Sequence, residues 1–383
     1  MKSRIQKTLL AATVATTCAM GAVESHAAGT ITFGEDQYVS VGFGTIGTFS
    51  SSENGANNGT DRGTDFSLYS SRLYVSGSLN KYIKGMFNTE ISGDFGEGGA
   101  TAPSSDFEMI DAVGIFSLTP EVAIWAGRFL SPSSRANMAG PYYTSGIGYW
   151  QYIAARYGWN GGTIGRDDGV ALVTNGFDDR LSLSFGAFEG ARIFRLSGVG
   201  DVTNNPLQGD SLMYAGRIQY AFWDKEPGYY GTGNYLGEKD IFTIGVAGRM
   251  KADGAASDTA VGDYSQITVD VLLEKKFEPG AISLEGAWYQ YDTDDVFLSE
   301  QGDAYALSAG FIFSQQVGMG RFMPIAQYQQ FDADNNVKTK QTEVGVKYVI
   351  DGYNAQVTAV WQSLDITGQQ STDSVIVATQ LQF

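Results

Sequence analysis

After residue 27 this chain of 383 residues contains no cysteine and no histidine; the single copies are Cys18 and His26. Residues 28–383 therefore cannot build a Cys or His metal site, a CxxCH haem attachment, a thiol nucleophile or a Ser-His-Asp triad. No metal, no cofactor and no catalytic role is expected. Freedom from cysteine also suits a protein that crosses an oxidising compartment unfolded, where stray disulfides would trap it. Proline is scarce, 8 residues against 49 glycines and 13% aromatics, which is the balance of strands and turns. Long apolar runs are missing too: past the start nothing approaches about 18 consecutive apolar residues, so no membrane-spanning helix is expected. Positive charge is thin, with 25 Lys and Arg against 42 Asp and Glu. So acidic a chain lacks the clustered cations that hold phosphate backbones, which excludes nucleic acid as a partner. It suits a surface bathed in divalent cations, or a pore that attracts cations.

The first segment reads as a leader. Lys2, Arg4 and Lys7 precede an uncharged stretch over 8–23, and Ser25 and Ala27 put small residues where a signal peptidase inspects them. Cleavage after Ala27 is expected, leaving 28–383 as one domain.

Within that domain apolar and polar residues alternate with the period of two of a pleated strand. Sixteen such stretches can be placed: 38–49, 64–79, 82–92, 106–118, 121–129, 168–176, 180–189, 211–223, 240–250, 263–276, 280–291, 303–313, 320–331, 340–350, 353–364 and 374–383. In 211–223, Leu212, Tyr214, Ile218, Tyr220 and Phe222 share one face, opposite Met213, Ala215, Arg217 and Gln219. In 263–276, Ile267, Val269, Val271 and Leu273 oppose Gln266, Thr268, Asp270 and Glu274. Unpaired charges at strand centres would cost several kcal/mol in a dry core; they suit a wall with lipid on one side and water on the other. The connections alternate as well. Those at 80–81, 119–120, 177–179 and 351–352 are tight, whereas 50–63, 93–105, 190–210 and 251–262 are long and polar. The expected fold is all-β: a transmembrane antiparallel up-and-down β-barrel with short periplasmic turns, long extracellular loops and both termini on the periplasmic side. One connection breaks the pattern, since 224–239 (DKEPGYYGTGNYLGEK) is long but falls on the short side. Fourteen or eighteen strands stay open beside sixteen.

The last strand alternates Val375, Val377, Thr379 and Leu381 against Ile376, Ala378, Gln380 and Gln382 and ends on Phe383. It resembles the closing strand of bacterial outer-membrane barrels, whose terminal aromatic is read by the barrel-assembly machinery. Further stretches are YSSRLYVSGSL at 69–79, AGRF at 126–129, GRDDGVAL at 165–172, LSLSFGAFEG at 181–190, the run 216–248, and VGVKYVIDGYNAQVTAVWQ at 344–362. In order, these are similar to the phosphate-selective (polyphosphate-type) porins of Gram-negative bacteria. The resemblance implies a sixteen-stranded, usually homotrimeric channel among the lipid and lipopolysaccharide of the outer membrane. It also implies a third extracellular loop that folds inward and narrows a passage for small hydrophilic solutes. The family's phosphate channels place lysines at that constriction; the corresponding connection here has none.

That connection is 130–165, the longest in the chain. It holds Arg135 and Arg156 and no Asp, Glu or Lys, with Arg128 just before and Arg166 just after, and it is dense in Tyr142, Tyr143, Tyr149, Trp150 and Trp159. It is expected to enter the lumen and set the constriction. The aromatics and arginines would either hold a passing carboxylate, phosphate or sugar, or pack the loop against the wall. On the strands Arg72, Lys84, Arg217 and Arg249, with Arg321 and Lys347, face inward opposite Glu90, Asp111, Asp270, Glu285 and Glu343. They form either a track that steers anions or salt bridges that stiffen the wall. The first reading gives a weakly anion-preferring channel. An enzyme is disfavoured for want of a histidine base. A non-conducting adhesin or the sheath of an electron-transfer conduit remains as the alternative, and a sheath would need an empty lumen.

Overall fold

The computed structural model describes residues 29–91, 108–148, 150, 153–155, 165–190, 207–257 and 259–383. Its strands are β1 (Gly29–Thr32), β2 (Tyr38–Ser52), β3 (Gly63–Asn80), β4 (Ile83–Ile91), β5 (Glu108–Ser117), β6 (Val122–Leu130), β7 (Arg166–Gly176), β8 (Leu181–Phe188) and β9 (Met213–Ala221). They continue with β10 (Ile241–Ala256), β11 (Val261–Phe277), β12 (Gly280–Asp292), β13 (Gly302–Phe313), β14 (Arg321–Ala333), β15 (Lys338–Asp351), β16 (Ala355–Ile366) and β17 (Thr372–Gln382). Among the described residues a single short helix, α1 (Arg135–Ala139), lies between β6 and β7.

From β2 to β17 each strand pairs antiparallel with the next, and β17 returns to β2 through pairs such as Val377↔Phe49, which closes the ring. The sixteen strands expected from alternation are all present, and β9 pairs directly with β10 across the long connection. No extra strand pair hides in 224–239, so fourteen and eighteen are ruled out. One strand was not legible: β1 is only four residues long, and it pairs Ile31 with Val39 at the start of β2. Its place follows from a length mismatch. β17 reaches only as far as Gly44 of β2, opposite Gln382, and β1 covers part of the edge left below, which would otherwise expose unpaired backbone groups. Phe383 meets Phe43 in this seam through two backbone hydrogen bonds of 2.6 and 2.9 Å, with ring centroids 5.6 Å apart.

The wall is inside-out relative to a soluble protein. Val269 is 40% exposed on the outer face while its neighbour Asp270 is 2% exposed on the inner one. On β9, Tyr214 and Ile218 point out while Ala215 and Arg217 point in. On the outer wall at the short-turn end, Phe222 stacks on Phe242 at 4.9 Å, Phe277 meets Phe311 at 5.6 Å and Phe322 meets Tyr348 at 4.9 Å. Such an aromatic ring marks a lipid–water boundary, because it has an apolar body and tolerates headgroups. A closed barrel with this polarity is a membrane-spanning barrel.

The stretch 251–262, expected as a long loop, is mostly strand: β10 and β11 continue to Ala256 and Val261 past a bulge between Lys251 and Ala255. Its small residues carry no apolar alternation, which hid the extension. The barrel has no dry core between sheets. Among the described residues its interior is filled by two chain segments, the β6–β7 loop from the long-loop end and the β9–β10 connection from the short-turn end.

Candidate functional site

The described part of the β6–β7 loop lies across the lumen, and its own backbone explains how. Ser134 caps α1, its hydroxyl accepting from the Asn137 amide at 3.4 Å. Wall arginines donate to the loop's carbonyl oxygens: Arg217 to Ser133 at 3.0 Å and Arg249 to Pro132 at 3.3 Å. The Arg135 amide donates to Asp270 at 2.9 Å, and Asp270 also takes a bidentate pair from Arg217 at 2.6 and 2.8 Å. Farther round the wall, Lys347 donates to the Thr144 carbonyl at 2.7 Å and Gln380 to the Tyr142 carbonyl at 3.1 Å. An acid-free loop docks here because the wall supplies cations for its carbonyls.

The expected constriction residues occupy different environments. Tyr142 is buried against Ile46 and Ala378 and shares a 3.0 Å hydrogen bond with Ser70. Its ring fits because residue 44 is glycine; a Cβ there would come within 2.9 Å of it. Trp150 is buried among Tyr289, Tyr291 and Phe331. Tyr143 stays partly buried, edge-on to Tyr353 at 4.9 Å, and burial pushes its phenol up to about 12. Tyr149, Arg156 and Trp159 lie outside the described residues. Arg166 opens β7, facing in, with Nε 3.4 Å from Asp111.

Arg128 was expected at the constriction and is not there. Trp125 and Phe129 take the inward positions of β6, so alternation turns Arg128 outward, where it forms a bidentate pair with Asp168 at 2.7 and 2.8 Å. The expectation failed because it assigned polar residues to the lumen. Here the inner wall has an apolar patch, made dry by a segment folded over it.

That segment is the β9–β10 connection, which sequence length had singled out without explaining. Glu226 on it takes two hydrogen bonds from Arg135, at 2.9 and 2.8 Å, and one from the Tyr235 hydroxyl at 2.7 Å. Burial opposes the charge of Glu226, yet the Arg135 guanidinium beside it holds its carboxyl below the ordinary carboxylate range. Arg135 is thus inside the lumen, as expected, but its charge is neutralised by an acid from another part of the chain. Tyr229 packs on Trp125 at 4.6 Å and donates to the Leu130 carbonyl. The amides of Gly231 and Gly233 donate to Met138 and Tyr143 carbonyls at 3.1 and 2.8 Å, a two-stranded contact between the inward segments. Gly233 is required there, since a Cβ would lie 2.9 Å from Glu285 and 3.2 Å from the Tyr143 carbonyl. Leu236 seals the end against inward Ile312, Met323 and Ile376.

Of the remaining wall residues, Arg72 pairs with Glu90, Asp111 accepts from Asn88 at 2.8 Å, and Lys84 is partly exposed on the short-turn half of β4. Arg321 reaches toward the Leu236 carbonyl at 3.4 Å, and Glu285 and Glu343 are buried inward. A cavity of about 120 Å³ is left between the two segments and the wall of β2–β5, with Arg72, Asp111, Arg166, Tyr143 and Tyr230 among its lining.

No family model matches the chain, and no curated protein matches it in sequence. Among solved structures it is similar to an anion-selective porin from Comamonas acidovorans, at 18% identity and a TM-score of 0.56 over 90% of this chain and 100% of that one. It is similar to OprB of Pseudomonas putida at 8% identity and 0.61, over 90% and 94%. The outer-membrane channel DcaP of Acinetobacter baumannii matches at 12% and 0.57, over 92% and 99%. The fold of this chain is therefore the closed antiparallel barrel of outer-membrane porins and channels, with sixteen strands and one short extra strand.

Proposed function

We propose that the protein is a channel of the Gram-negative outer membrane through which small hydrophilic solutes diffuse passively. The observation that carries this reading is a charged interior, crossed by an inward loop, inside a closed wall whose outer face is apolar. A lumen occupied by two segments tied through a buried ion pair counts against a sheath, which would need it empty. The absence of His and Cys after residue 27 counts against an enzyme.

The finer parts of the reading rest on separate supports. The constriction is two-sided, formed by the β6–β7 loop and the β9–β10 connection. Of the inward cations, Arg72, Arg135, Arg166 and Arg217 are matched by Glu90, Glu226, Asp111 and Asp270, which favours weak selectivity with at most a slight anion preference. A homotrimer is favoured by the family resemblance and by a flat strip on the outer wall, where Gly77, Gly85, Gly114 and Ala126 fall in one register row. The leader 1–27 would be removed, and Phe383 would present the assembly signal. Stepwise current after adding the folded barrel to a planar bilayer tests the channel reading. A folded barrel that inserts without current steps overturns it.

A further inference from the structure

We propose that the cavity beside β2–β5 is a binding subsite for a small organic anion, one carboxylate carried on a ring-sized apolar body. The proposal deepens the channel reading and rests on it only in supposing that solutes reach the cavity. Its polar side is rich in donors: the guanidinium groups of Arg72 and Arg166 and the amide of Asn88 line it, against one lining carboxylate, Asp111. Glu90 grips Arg72, and Asp111 lies 3.4 Å from Arg166, so both cations are positioned before a solute arrives. The rest of its lining is apolar and aromatic: Tyr74 and Met86 stand beside the donors on β3 and β4, and Met138, Tyr143 and Tyr230 come from the inward segments.

Tyr230 is the most specific pointer. Its hydroxyl is buried and has no hydrogen-bond partner among the described residues, whereas that of Tyr229 beside it donates to the Leu130 carbonyl. A buried phenol without a partner carries a desolvation cost that a ligand oxygen would remove. Size limits the body: a dry cavity of ~150 Å³ admits benzene, so the space here takes one ring and little more. Inorganic phosphate would use the donors and leave the aromatic lining uncovered. Benzyl alcohol would cover that lining without supplying charge.

The test is isothermal titration of benzoate into the folded, detergent-solubilised full-length barrel, with phosphate and benzyl alcohol as comparison probes and heat-modifiable electrophoretic mobility as the fold check. Benzoate is expected to bind with a Kd of roughly 1 mM, at least about tenfold tighter than either comparison probe. Tyr230→Phe, which keeps the ring, should weaken binding about tenfold through one lost charge-assisted hydrogen bond. Ser76→Phe, which fills the cavity from β3, should abolish it. No benzoate binding, equal binding of phosphate or benzyl alcohol, or unchanged affinity in either folded variant overturns the subsite. Binding is read without current, so the two readings fail separately. A barrel that conducts but does not bind benzoate keeps the channel and loses the subsite, and one that binds but never conducts does the reverse.

Discussion

Replacing Glu226 by alanine should unlock the inner constriction. Glu226 accepts two hydrogen bonds from Arg135, one from Tyr235 and one from Thr243, and Arg135 itself is only 1% exposed. Removing one partner of a buried pair leaves the other as an uncompensated charge, which costs about 3–5 kcal/mol. At about 1.4 kcal/mol per factor of ten, the balance between docked and released connection shifts by roughly a hundred- to several-thousand-fold. The ladder of β9 with β10 does not involve this contact, so the barrel should still fold. The assay is single-channel current: Glu226→Ala should show larger or noisier conductance than the parent. Arg135→Ala combined with Glu226→Ala should lie closer to the parent than either single variant, because neither charge is then left alone. The same lock predicts a pH effect of definite sign. The carboxyl of Glu226 is held below its ordinary value of 4.5, so its stabilisation is complete above that value and is lost as the pH falls through the lowered one. Noise arising from this contact should therefore rise in strong acid, and not between about pH 5 and pH 7. Identical conductance and noise in parent and Glu226→Ala would refute the two-sided constriction.

Deleting residues 139–159 should raise unit conductance, since the described residues of that stretch, 139–148, 150 and 153–155, pack inside the lumen; an unchanged value would place the passage elsewhere. Removing Phe383 deletes the backbone and ring contacts with Phe43 at the closing seam, and should lower the yield of heat-modifiable barrel in membranes more than the stability of barrel already folded. Val269→Lys, on the outer face near mid-strand, should destabilise the barrel in lipid by about 2–4 kcal/mol, measured by denaturant unfolding in vesicles. The inward neighbour exchange Thr268→Ser should have a much smaller effect.

The barrel was legible because one rule, alternation with period two, holds wherever lipid faces one side of a strand and water the other. It located all sixteen barrel strands and gave Val375, Val377 and Leu381 their outward positions. The rule failed where the inner face is not wet. Trp125 and Phe129 look like lipid-facing residues until Tyr229 and Tyr230 are seen to cover them from inside, and Arg128 was misplaced for the same reason. The partner of Arg135 could not be read from the loop's own composition. Glu226 lies 91 residues away in sequence, and only the fold brings the two together. The unusual length of 224–239 was the one local sign that the short-turn end did more than turn. β1 offered no sign, because four residues cannot show a period.

A polar passage running through this barrel, past a nearly charge-balanced constriction, is tested most directly by planar-bilayer current of the folded protein, with the reversal potential taken under a potassium chloride gradient. Such a passage should give discrete steps and a reversal potential near zero, displaced slightly in the direction of chloride preference. The absence of steps, or a reversal potential close to the ideal value for potassium, would contradict it.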